Sequence, residues 1–178
     1  MTILGIDPGT ILTGFGIIKF NNYQLFHVAS GTIKPPAKNE MAFRLKFIYN
    51  RIDEIIKTYQ PDEFSIETAF YGKNVQSALK IGYARGVSLL VAAHNNLTPG
   101  EYSPREIKKS VVGNGAASKE QVQYMIKKLL ALKSNKIKFD ESDALAVAIC
   151  HAFKMNSLKK KSGTWKELVE SNPDKIIS

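Results

Sequence analysis

Cysteine is almost absent from this 178-residue chain. The single thiol, Cys150, has no partner for an intramolecular disulfide, and it excludes a zinc cluster built on cysteine. Long apolar runs are missing too. The longest nearly apolar stretch, 86–93, is far too short to cross a bilayer, and only a few apolar residues precede Asp7, so no signal peptide is expected. These absences lead to the expectation of a cytoplasmic protein. Acids are scarce relative to bases: 25 Lys and Arg stand against 16 Asp and Glu, a net charge of +9. The imbalance is uneven. Residues 105–138 hold nine basic side chains against Glu106 and Glu120, whereas 139–153 hold three acids and no Lys or Arg. A solvated helix face would explain the basic run alone. An acidic cluster inside a basic protein is what a metal-dependent enzyme acting on a polyanion needs.

What is present suffices for one domain with a sizeable core, over 1–157, followed by a polar, Lys-rich tail over 158–178 that is expected to be loosely held. Residues 2–6 form a short apolar run that predicts a buried strand ending at Asp7, and Pro8-Gly9 then turns the chain. A second run, 15–20, makes a hairpin with the first, while Gly14 and Gly16 open the backbone on the side where Asp7 points. Residues 24–33 predict a third strand of an antiparallel meander, closed by Pro35 and Pro36. Apolar residues at 41, 45, 48, 49, 52, 55, 56 and 59 carry the helical period over 40–60, and Pro61 ends it. The strand 64–66 follows, ending at Glu67; the helix is a crossover that lays it parallel to the first strand.

A helix over 74–96 carries Ala78, Gly82 and Gly86 at a spacing of four. Glycine costs about 1 kcal/mol in a helix interior, so this stripe implies close approach of another backbone. Either a second copy of the chain or its own sheet could supply it. A fifth strand spans 98–102. Ser103-Pro104-Arg105-Glu106 and Ser118-Lys119-Glu120-Gln121 are capping boxes, the first with proline at the opening helical position and the second starting a helix to about 132. The connection 113–117 is flanked by Lys108, Lys109 and Lys119, and basic side chains beside helix N-termini suit phosphate oxygens. The last helix begins near Asp140. The fold class expected is α/β, a mixed five-stranded sheet flanked by helices.

Asp7 alone reads as a turn cap, and Asp140 with Asp143, three apart on one helix face, alone reads as a pair of dipole partners. Together with Glu67 they become a site. Asp7 and Glu67 end adjacent strands, and a helix packed on that sheet could bring Asp140 and Asp143 to the same place. Four carboxylates without histidine suit Mg²⁺ or Mn²⁺ rather than zinc. Two divalent ions about 3.5–4 Å apart would neutralise their repulsion and clamp a phosphate, which predicts phosphodiester hydrolysis.

The residues that carry a family likeness run through the chain in order. Gly5-Ile6-Asp7-Pro8-Gly9-Thr10 with Thr13-Gly14-Phe15-Gly16 comes first, then Ile66-Glu67 with Phe70, and Lys73-Asn74 with Ser77-Ala78-Leu79-Lys80. Ala84-Arg85-Gly86, Val111-Val112-Gly113, and Asp140 with Asp143-Ala144-Leu145-Ala146 complete it. Over roughly 1–155 the chain resembles RuvC-type Holliday-junction resolvases of the ribonuclease H-like superfamily. The resemblance implies that Asp7, Glu67, Asp140 and Asp143 are catalytic metal ligands, with two Mg²⁺ per site and Mn²⁺ as a substitute. It implies that Phe70 stacks on a base at the junction centre and that Lys108 and Lys119 hold DNA. A homodimer is implied, nicking two symmetric strands of a four-way junction and working with the RuvA–RuvB branch-migration machinery in recombination and repair. Two rivals stay open. A non-catalytic junction-binding module explains the basic surface but not four acids. Asp-Pro-Gly-Thr after a strand also resembles the phosphate loop of actin- and hexokinase-like ATPases, which need two such domains.

Overall fold

The N-terminal apolar runs become a three-stranded antiparallel meander in the computed structural model, which describes residues 1–68, 75–132 and 137–161. Strand β1 (Thr2–Asp7) pairs with β2 (Thr13–Asn21), and β2 with β3 (Gln24–Ile33). Helix α1 (Met41–Tyr59) crosses over to β4 (Glu63–Glu67), parallel to β1 as expected; α2 (Val75–His94) then leads to β5 (Pro99–Tyr102), parallel to β4. The sheet order is β3-β2-β1-β4-β5. Three helices complete the described chain: α3 (Pro104–Val112), α4 (Lys119–Leu129) and α5 (Phe139–Lys161).

Both faces of the sheet are covered, so β1 reads as a continuous apolar run rather than an alternating one. Leu4 and Ile6 point into a core shared with α1 and α2, while Ile3 points into a second core shared with α3, α4 and α5. Helix α5 is apolar all round from Ala144 to Cys150 because it is buried all round. Glycine makes this possible. A Cβ on Gly5 would stand 2.2 Å from the Ala144 carbonyl oxygen, one on Gly14 2.0 Å from that of Asp140, and one on Gly16 2.7 Å from the Leu145 nitrogen. The backbone opening expected beside Asp7 is therefore where α5 lies directly on the strands.

Both capping boxes form, with Ser103 and Ser118 accepting from the third helical N–H and Glu106 and Gln121 reaching back. Strand β2 begins two residues earlier than its apolar run, because Thr13 and Gly14 pair with Ile33 and Thr32. Helix α4 stops at Leu129, before the expected 132, and Ala131 takes a left-handed φ of 48°. Helix α5 continues to Lys161, past the expected boundary at 158, and the rest of the tail lies outside the described residues. On α2 the two glycines face away from the sheet. A Cβ on Gly82 or Gly86 would meet no described atom within 4 Å, so neither packs on the chain's own sheet. No helix among the described residues is long and apolar enough to cross a membrane.

Candidate active site

Parallel pairing of β1 with β4, in the register Ile6 opposite Ile66, makes Asp7 and Glu67 leave neighbouring strands at the same end of the sheet. The head of α5 arrives there because Gly14, the cross-strand partner of Asp7, admits the Asp140 backbone. Asp143 lies one turn further on. The electrostatics record the convergence. Burial pushes the Asp7 carboxyl up to about 8, reinforced by the charges of Glu67, Asp143 and Asp140 and opposed by Lys119. Glu67 is pushed up to about 7, again by burial first and then by Asp143, with Lys119 and Lys108 opposing. A carboxylate that merely caps a turn has its pKa lowered by the N–H groups it accepts; these two are desolvated and repelled instead.

Lys119 supplies the countercharge, donating from Nζ to Asp143 Oδ2 at 2.8 Å, and its own pKa is raised chiefly by that bond. The cleft has a volume of about 310 Å³ and is lined by Asp7, Glu67, Asp143, Lys108 and Lys119, with apolar walls from Ile81, Ile107, Val122 and Ala146. Asp140 is half-buried at its edge; its charge reaches Asp7 and Lys119, but its side chain is not part of the lining. Among the described residues no three His, Cys, Asp or Glu side chains are drawn together tightly enough to hold an ion. The donor set nevertheless fits a hard divalent cation. It consists of carboxylate oxygens, two of them on desolvated groups whose repulsion such an ion would relieve.

Six of the seven residues expected from sequence are thus placed at one end of the sheet, while Phe70 lies outside the described residues. Sequence reasoning missed the scaffold of the β1–β2 turn. Thr13 Oγ1 donates to the Gly9 carbonyl at 2.7 Å and accepts from the Gly9 N–H at 3.3 Å. Arg44 donates from Nη2 to the Thr10 carbonyl. The signal for Arg44 was its place on the helical face shared with Met41, Leu45 and Ile48, where a charged residue requires a reason.

A mixed sheet in this order, with acids at the ends of its first and fourth strands and at the head of the helix packed across them, defines a ribonuclease H-like α/β protein. The chain belongs to the family described as crossover junction endodeoxyribonuclease RuvC, which matches residues 3–151. It is similar to the crossover junction endodeoxyribonuclease RuvC of Chloroherpeton thalassium, with 44% identity over 99% of this chain and 100% of that one. Against the protein of the same name from Dehalococcoides mccartyi the identity is 50%, over 85% of this chain and 90% of that one. Among solved structures it resembles T. thermophilus RuvC in complex with Holliday junction substrate, with a TM-score of 0.83 and 28% identity over 88% of this chain and 96% of that one.

Proposed function

We propose that this chain resolves four-way DNA junctions, hydrolysing one phosphodiester bond on each of two symmetric strands as a metal-dependent homodimer. The observation that carries the reading is the convergence of Asp7, Glu67 and Asp143 in a cleft faced by Lys108 and Lys119, with the charge of Asp140 reaching it from the edge. The four acids would hold the metal, Mg²⁺ with Mn²⁺ as substitute and two ions per site. When bound, the metal supplies an activated water and charge stabilisation for the leaving 3′ oxygen.

The remaining roles belong to side chains. Burial of Asp7 and Glu67 makes their ionised forms dependent on a bound cation, so charge is presented only in the loaded site. Lys119 exchanges its bond to Asp143 for a phosphate oxygen once a cation satisfies that carboxylate, and Lys108 holds a neighbouring phosphate. The apolar walls limit water around the reacting phosphate. Phe70 stacks on an unpaired base at the crossover, a contact worth ~1–3 kcal/mol.

The dimer reading is supported by α2. Val75, Leu79, Tyr83 and Leu90 are exposed along one side of the helix, with the open glycines Gly82 and Gly86 among them. Apolar side chains and bare backbone at spacings of three and four suit a helix packed on its twin, and a two-fold axis would present two clefts to two symmetric strands. The RuvA–RuvB machinery is the partner expected to deliver the junction.

The experiment is incubation of the pure protein with a synthetic four-way junction, and with linear duplex of the same arm sequences, in Mg²⁺ or in chelator. Paired nicks confined to the junction and to Mg²⁺ are expected. Binding without nicking would return the junction-binding module, and tight nucleotide binding would favour the ATPase-like rival.

A further inference from the structure

Beside the cleft, the turn between β1 and β2 holds an isoleucine out in water. Ile11 is 73% exposed while Thr10 next to it is 5% exposed. The turn is braced on both sides of Ile11, by the Thr13–Gly9 hydrogen bonds and by Arg44 on the Thr10 carbonyl. A single exposed isoleucine is ordinary on a protein surface. This one has basic company at the active end of the sheet.

Asp7, Gly14 and Thr32 form one row across β1, β2 and β3, and Thr13 with Ile33 forms the next, so Lys34 leaves the sheet at the end where Asp7 sits. From there to the second turn of α1 the chain carries Lys34, Lys38, Arg44 and Lys46 against the single acid Glu40. Lys34 and Lys38 are exposed, and neither joins an ion pair among the described residues. Arg44 joins no ion pair among the described residues either, so its charge lies unneutralised under the turn. Lys108 and Lys119 line the cleft with Glu67 of β4, whereas the β1–β2 turn lies on the other side of Asp7, toward β2 and β3. A strand of DNA crossing the carboxylates from the lysines of α3 and α4 would meet the β1–β2 turn next.

We infer that this flank is a second DNA contact, with Ile11 laid against a sugar or base face of the strand being cut and Lys34 and Lys38 on phosphates of the same arm. Apolar side chains at such positions pack against or wedge between bases where the stack is already open, as at a crossover. The inference rests on the junction-cleavage reading and extends its footprint to the other side of Asp7.

The test compares the wild type with Ile11→Ser and with the double variant Lys34→Gln, Lys38→Gln. Junction affinity is measured in chelator over a salt series, and nicking in Mg²⁺. The double variant should lower the salt slope by about 2, one phosphate contact for each lysine. Ile11→Ser should weaken junction binding by about tenfold, the worth of partly burying one aliphatic side chain, and linear-duplex binding far less. Melting temperatures should not move, because all three side chains are exposed; Ile11→Thr, which keeps the β-branch, guards against a local change in the turn. An unchanged salt slope overturns the role of the lysines, and unchanged junction affinity of Ile11→Ser overturns that of the isoleucine. A wild type that neither binds nor nicks junctions overturns the functional reading, and with it this contact.

Discussion

Raising the pH of the metal-free protein from about 5 to about 8 should destabilise it, and Asp7→Asn should remove much of that loss. Asp7 ordinarily titrates near 3.8 but is held up to about 8 in the fold, first by burial and then by Glu67, Asp143 and Asp140. Between those values the native chain keeps a proton that the unfolded chain has released. Stability is then fully present below the lower value and falls as pH rises toward the upper one. One proton of difference is worth about 1.4 kcal/mol per pH unit, so three units cost about 4 kcal/mol. For a chain of this size that is a fall of about 8–16 °C in melting temperature. Glu67, held up to about 7, acts in the same direction, but it shares its repulsion with Asp143 and the effects do not simply add. Thermal unfolding followed by circular dichroism, in chelator at several pH values, measures the slope. Adding Mg²⁺ should flatten it, since a bound cation favours the ionised carboxylates. Equal pH slopes for wild type and Asp7→Asn would refute the placement of Asp7 in a desolvated, repulsive cluster.

Three further outcomes are expected. Lys108→Ala and Lys119→Ala should each lower the salt slope of junction binding by about 1, and an unchanged slope would leave those lysines facing bulk water. Gly82→Leu should push paired α2 helices apart and yield monomers by sedimentation, whereas an already monomeric wild type would remove the dimer. Gly14→Ala, whose Cβ would stand 2.0 Å from the Asp140 carbonyl oxygen, should cost at least about 1–3 kcal/mol and depress nicking further than the fraction unfolded accounts for.

Much of this molecule could be read from its residues because local and global signals agree. Ser103 and Ser118 start α3 and α4 where the capping boxes place them, and Asp7 and Glu67 end strands that the crossover helix makes parallel. The stripe on α2 was ambiguous for a physical reason: small residues permit close approach without saying of what, and the open space around Gly82 and Gly86 removes the chain's own sheet without naming a partner. Gly14 and Gly16 were legible as openings in the backbone, but nothing in their spacing names α5 as the element that enters. Arg44 stands out as a charge on the apolar face of α1, but its partner is a main-chain carbonyl, at Thr10, which leaves no mark in sequence.

The most direct measurement is nicking and binding of one synthetic four-way junction by the wild type and by Asp7→Asn in the same Mg²⁺ buffer. The four-carboxylate site predicts that the variant gives no nicks while binding the junction as tightly as the wild type, or more tightly, since it removes negative charge near the phosphates. Nicking by Asp7→Asn at close to the wild-type rate would contradict it.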